Sequence, residues 1–453
     1  MRRALVMVML SMALAGRGEA REPQLREQVA ARNDPSETYT LYLPSSYDEK
    51  KPAPLLFVFD PRGRATAAAG FFRDGAETFG WIVISANGTR SDESPEPNLH
   101  ALRALLPEAE RYNADPNRIY AAGFSGTAML AWTIGITTGR LAGVIGVGGR
   151  SIDELPPRKF NFAHYGFAGI ADFNNREMRR VDAALDREGK THRFTQFDGV
   201  HRWMTPELAR EAIGWLEVIA MKEQRRPRDE QIIAAELGRD RAAAEALERG
   251  GSLLDAMRRY HAIAQTYGDA AARDAAARLE RDARVQRALA DEAKWDEFET
   301  LFTKQVFGNT GAIYAAAREE RSARHLAADF RVAELQKRAQ RGGAEAAAAR
   351  RLLEAVFGQT SFYLPRQLAE RGEHALAAAT IAVATEIHPE NPNTWYALAA
   401  AQARAGDRRR ALDALAKAFA NGFSDKTHLA ADEAFAALRS DPRFQQFLAS
   451  PSQ

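Results

Sequence analysis

Short apolar runs alternate with helix-period stretches through the first half of the chain. Thr38-Tyr-Thr-Leu-Tyr-Leu-Pro-Ser-Ser-Tyr47 alternates in the manner of an edge strand, whereas Pro54-Leu-Leu-Phe-Val-Phe-Asp60 is apolar throughout, as a strand buried on both faces must be. Helical spacing follows from Thr66 to about Phe79, then a strand at Trp81-Ile-Val-Ile-Ser85 and a helix near Asn98 to Arg111. Strands at Arg118 to Gly123 and Leu141 to Val147 flank a helix that starts after Ser125. Two more strands end near Asp172 and just before His201, and Thr205-Pro206 opens another helix, with proline's fixed φ suited to a first turn. Strand and helix in alternation predict a doubly wound, mostly parallel sheet over residues 21–224, an α/β domain. Working residues in such sheets collect in loops at the carboxyl ends of the strands.

Beyond Trp215-Leu-Glu-Val-Ile-Ala220 the pattern changes. A charged linker, Lys222-Glu-Gln-Arg-Arg-Pro-Arg-Asp229, leads into a stretch with almost no strand signal, rich in Ala, Leu, Glu and Arg, all good helix formers. Gly250-Gly-Ser252, Gly308-Asn-Thr-Gly311 and Gly342-Gly343 divide it into helices of ordinary length. Residues 225–360 are predicted to be helical, as degenerate repeats or another array. Within 361–448, Gly372, Ala377, Ile381, Ala384 and Pro389 are followed 34 positions later by Gly406, Ala411, Leu415, Ala418 and Phe423, only the last place changing character. That period, with Trp395-Tyr-Ala-Leu398 opening the second unit, resembles the tetratricopeptide repeat. The resemblance implies a groove for a protein or peptide partner; a rigid extension or a dimer contact is the plainer reading.

With 453 residues the chain is long enough for two or three domains. Its 62 Lys and Arg nearly balance 60 Asp and Glu, so no global field recruits nucleic acid or an anionic membrane. The absence of cysteine excludes disulfides, thiolate catalysis and Cys-based zinc sites. Met1-Arg-Arg, the apolar run Ala4 to Ala15 and the small residues ending in Gly18-Glu-Ala20 form a secretory signal pattern over residues 1–20, which predicts a periplasmic or secreted protein. The run is well short of the roughly 20 apolar residues a membrane-spanning helix needs, and no later segment has that character.

Candidate chemistry centres on Gly123-Phe-Ser-Gly-Thr127, where an apolar strand turns sharply into a helix. Small residues at Gly123 and Gly126 permit such a turn, with Ser125 projecting as a nucleophile at its apex. Thr127 stands where the nucleophile-elbow motif prefers glycine. Asp172 and His201 follow at the ends of the next two strands. The order Ser125, Asp172, His201 is that of an α/β-hydrolase, and residues from about Tyr39 to Ile219 resemble one of the esterase, depolymerase and dienelactone-hydrolase type. The resemblance implies that His201 takes the serine proton and later returns it to the leaving group, while Asp172 fixes the imidazole. Gly126 supplies one oxyanion-hole N–H. Pro61 has none, which leaves Arg62 or Gly63, with Arg62 the first choice, in a loop that departs from the His-Gly-rich version common in lipases.

Each position also has a plain structural role available: Ser125 and Asp172 as helix caps, His201 as a residue ahead of the Thr205 helix. Asp198 is the alternative acid. His192 and His164 lie toward the wrong ends of their strands, and His100 precedes the nucleophile on a helix. No His or carboxylate cluster has metal-ligand spacing in the sequence, and no cofactor is implied. The expectation is an exported serine hydrolase acting on a small-molecule or polymeric ester. The alternative is a hydrolase-fold scaffold that has lost activity and binds partners through its helical half.

Overall fold

The computed structural model describes residues 22–149, 161–309 and 323–449. The predicted signal segment, residues 1–20, and the part of the Gly308-to-Gly311 break beyond residue 309 lie outside them. Eight strands form one sheet: β1 (Gln24–Ala30), β2 (Thr38–Leu43), β3 (Ala53–Phe59), β4 (Ile82–Ala86), β5 (Ala114–Phe124), β6 (Gly143–Val147), β7 (Ala163–Gly169) and β8 (His192–Phe197). Their spatial order is β1-β2-β4-β3-β5-β6-β7-β8. β2 pairs antiparallel with β1 and β4, whereas β3 runs parallel to β4 and β5, and β7 runs parallel to β8. Helices α1 (Ala65–Phe79), α2 (Glu96–Leu105), α3 (Glu108–Arg111), α4 (Gly126–Thr138), α5 (Asn175–Arg187) and α6 (Pro206–Lys222) connect or follow the strands. The mostly parallel sheet and the helix-rich region after it are the fold class the apolar pattern predicts.

Three local differences have physical reasons. β2 is not an edge strand: β1, polar and largely exposed, covers its outer side, so all but its first residue are buried. The helix expected from Asn98 to Arg111 is two helices, because Pro107 cannot continue the first one's hydrogen bonding. β5 begins at Ala114, ahead of the apolar run that announces it.

The chain divides into two compact units. The first holds residues up to 145, with 161–163 and 205–228. Its core includes Trp81 stacked on Tyr120 with ring centroids 4.2 Å apart, and the Trp81 indole N–H donates to buried Glu217 at 2.6 Å. Helices α1 and α6 pack on each other. Gly75 permits that approach, since a Cβ there would lie 2.8 Å from Ile213 Cδ1.

The second unit takes residues 146–149, 164–204 and those from 229 onward. Most of β7, together with α5 and β8, therefore groups with the helical region. That region begins with α7 (Glu230–Arg249), α8 (Leu253–Tyr267), α9 (Ala270–Glu280) and α10 (Ala283–Val306). Aspartates at 229, 269 and 282 accept N–H groups at the starts of α7, α9 and α10, offsetting donors that a helix leaves unpaired. Further on, helices His374–Ile387 and Arg408–Ala420 begin two residues after Gly372 and Gly406, whose φ values of 75° and 80° make the left-handed turns that glycine allows. The described helices include none long and apolar enough to cross a membrane.

Candidate active site

Ser125 sits between β5 and α4 with φ 56° and ψ −129°, a backbone conformation costly for a residue with a Cβ. Its side chain makes no capping hydrogen bond to α4, so the plain helix-cap role does not account for it. The turn is braced by its neighbours. A Cβ at Gly123 would lie 2.1 Å from the Thr127 carbonyl oxygen, so only glycine lets the strand and helix approach this closely.

Thr127, the departure from the elbow motif, has a structural use. Its buried hydroxyl accepts the Phe124 N–H at 3.2 Å and lies 2.6 Å from the Phe59 carbonyl oxygen and 2.7 Å from that of Phe124. It thereby ties the elbow to the end of β3. Periodicity gives no sign of this role; it follows only from the strand neighbours.

The backbone donors of the loop after β3 bond within the loop. Buried Asp60 accepts the Arg62 N–H at 2.9 Å and the Arg64 N–H at 3.3 Å, and its carbonyl oxygen accepts the Gly63 N–H at 3.1 Å. The Arg64 guanidinium holds the same carboxylate at 3.1 and 3.0 Å. Arg62 thus spends its amide on closing its own turn instead of leaving it open to a substrate. A carboxylate placed two residues earlier favours that local ring.

Ser91, which the sequence did not single out, lies beside the elbow. A Cβ on Gly126 would come within 2.5 Å of its Oγ. That oxygen is buried and has no hydrogen-bond partner among the described residues. An unpaired buried hydroxyl costs about 1–3 kcal/mol, so it calls for an explanation.

In the second unit Asp172 and His201 come together. His201 Nδ1 lies 2.9 and 3.0 Å from the two carboxylate oxygens of fully buried Asp172. With Nδ1–H donating there, Nε2 carries the lone pair. Asp172 also accepts the Asn174 N–H at 2.8 Å, a local turn ahead of α5, whose N-cap is Asn174. The Phe173 ring lies 4.3 Å from the imidazole, centroid to centroid. Gly148, with φ 54°, leaves room for the pair, since a Cβ there would meet Asp172 Oδ2 at 2.6 Å and His201 Nδ1 at 3.1 Å.

Two of the other candidate histidines contact carboxylates elsewhere. His100 bonds Asp34 at 2.6 Å and Glu37 at 3.0 Å. His192 meets Asp182 at 3.2 Å and Asp186 at 3.7 Å, while its Nδ1 bonds the Lys190 carbonyl. These three side chains, brought together by α5 and β8, offer ligand atoms within 4.8 Å of one another, a cluster that spacing along the sequence conceals. Burial alone would push the His192 pKa down, but the Asp182 and Lys190 contacts outweigh it and raise the value. At Asp198, the alternative acid, the backbone carbonyl accepts from Arg202 at 3.0 Å.

No protein-family model and no curated protein sequence matches the chain. Among solved structures it is similar to a substrate-bound fluorophosphonate-binding serine hydrolase from Staphylococcus aureus, at 13% identity and TM-score 0.35, covering 43% of this chain and 97% of that one. An S-formylglutathione hydrolase from the same organism is similar at 15% identity and TM-score 0.36, over 43% and 98% of the two chains. Fungal esterases from Rhizomucor miehei are similar at 14% identity and TM-score 0.36, over 46% and 86%.

Proposed function

We propose that the protein is an exported serine hydrolase of carboxylic esters that works through Ser125, His201 and Asp172. The observation that carries the reading is the His201–Asp172 pair, which leaves the imidazole's Nε2 as the basic nitrogen. The strained backbone at Ser125 supports it, because such conformations persist chiefly where function requires them. Ser125 Oγ attacks the ester carbonyl as its proton passes to His201. The protonated imidazole, steadied by the Asp172 charge, then protonates the departing alkoxide. Water repeats the sequence on the acyl-enzyme.

Charge on the tetrahedral intermediate falls to the Gly126 N–H, one of the first-turn donors that α4 leaves unpaired. With Arg62 committed to Asp60, the Ser91 hydroxyl beside Gly126 is the better candidate for the second donor. The ester preference over amide follows the esterase resemblance, and export follows the signal pattern over residues 1–20. The helical repeats would present substrate or a peptide partner. Pro389, Trp395, Lys417 and Asn421 line a shallow hollow in that region, with the Lys417 ammonium 5.2 Å from the Trp395 ring centre.

Hydrolysis of p-nitrophenyl esters of increasing acyl length tests the reading. Wild type is expected to turn over short esters, with Ser125→Ala and His201→Ala each lowering kcat by a factor of roughly 10⁴ or more. A folded wild-type chain with no activity on any of them would favour the second reading, an inactive scaffold. The closed Asp60 turn is the observation on that side.

A further inference from the structure

The turn that carries Asp172 is anchored twice. On one side the loop after β8 holds it. The Ile170 N–H donates to the Phe197 carbonyl at 2.8 Å and the Ala171 N–H to that of Gly199 at 2.9 Å, two residues ahead of His201. A Cβ at Gly169 would lie 2.3 Å from the Gly199 oxygen, so the acid turn and the histidine turn are in backbone contact.

The second anchor comes from 181 residues further along the chain. Arg351 Nη1 donates to the Ile170 carbonyl at 3.2 Å. Arg351 lies on the helix Gly343–Gly358, and its Nε and Nη2 both donate to Glu299 on α10, the Nε at 3.0 Å. Both side chains are buried, at 6% and 5% exposure. An arginine so enclosed, with two of its nitrogens on the single oxygen Glu299 Oε1, has few alternative rotamers, and the direction of its third nitrogen follows from them. α10 also grips the first turn of α5, which follows Asp172. Arg176 Nη1 donates to the Thr300 hydroxyl at 2.6 Å, and Arg179 makes a fork on Asp296 at 3.0 and 2.6 Å.

We infer that Arg351, oriented by Glu299, is a positioning residue of the hydrolase site: its hydrogen bond to the Ile170 carbonyl holds the Asp172 turn against His201, so the helical region completes the acid–imidazole pair. This rests on reading His201 as the base that serves Ser125. Removing the anchor frees the Ile170 carbonyl and lets the carboxylate swing relative to the imidazole. A displacement of about 1 Å at a catalytic group costs on the order of a hundredfold in rate. Ester binding does not depend on the carboxylate, so KM stays near its starting value.

The test uses the full mature chain with Arg351→Met, the charge-preserving Arg351→Lys, and Asp172→Asn as reference. Its readouts are kcat, KM and the far-downfield proton resonance of the His201 Nδ1–H bonded to Asp172. Arg351→Met is expected to lower kcat about 10- to 100-fold with KM within about twofold, and to weaken or abolish the resonance, as Asp172→Asn does. Arg351→Lys keeps the charge beside Glu299 but lacks a fork to reach Ile170 as well, so it is expected to fold and lose about tenfold in kcat. The inference is overturned if the lysine variant, or a folded methionine variant, keeps wild-type kcat and an unchanged resonance. The resonance is read without turnover. A wild-type chain that hydrolyses nothing would defeat the parent reading, whereas an unmoved resonance in both variants defeats this one.

Discussion

Arg193 on β8 and Asp240 on α7 meet as a fork, Nη1 2.9 Å from Oδ2 and Nη2 2.8 Å from Oδ1, with exposures of only 2% and 5%. Arg259 and the Tyr267 hydroxyl, both from α8, complete the ring around the carboxylate. A buried charge that loses its partner costs about 3–5 kcal/mol, more than most surface changes together. A chain ending at Gln224 therefore keeps Arg193 but loses Asp240, Glu292 and Asp296, which answer the arginines of β8 and α5. Such a fragment is expected to be unstable and inactive on small activated esters. Thermal melting of the fragment beside the full chain checks this, and a cooperative, active fragment would contradict it.

Acid stability offers an independent reading of the same ring. Burial alone would raise the Asp240 carboxyl, but the Arg193 charge and hydrogen bonds outweigh it, and with Arg259 and Tyr267 they bring it from 3.8 to about 2. The folded value is the depressed one, so the stabilisation is fully present above the unfolded value of 3.8 and disappears as pH falls through about 2. It amounts to roughly 2 kcal/mol. In denaturant titrations, the stability gap between wild type and Asp240→Asn is expected to narrow by about that much between pH 5 and pH 2.

Gly148 gives the strongest local test of the acid–imidazole geometry. Its φ of 54° suits glycine, and an alanine methyl would sit 2.6 Å from an Asp172 oxygen. Gly148→Ala is expected to lower kcat about a hundredfold by displacing the pair. The strained backbone adds a loss of stability of about 1–2 kcal/mol. Steady-state kinetics and melting on the one variant separate the two effects.

Much of this was legible from residues alone, for identifiable reasons. Continuous apolar runs such as Leu55 to Phe59 admit only a strand buried on both faces, and Gly123 and Gly126 around Ser125 mark a turn that larger residues would block. Strand ends also marked Asp172 and His201, which form the pair observed. What stayed hidden depends on contacts across long separations. Arg193 looks like an outward residue of an alternating strand, and only the later arrival of Asp240 makes its burial possible. The service Arg351 renders to Ile170 has no local pattern in either stretch. The Arg62 amide reads as a free donor until the Asp60 side chain is seen curling back onto it.

The account stands most directly on where a covalent label lands. Incubating the wild-type chain with a fluorophosphonate and mapping the adduct by peptide mass is expected to place one phosphonyl group on Ser125, with none on Ser125→Ala and slowed labelling in His201→Ala. Labelling at another residue, or a folded chain that takes up no label, would contradict it.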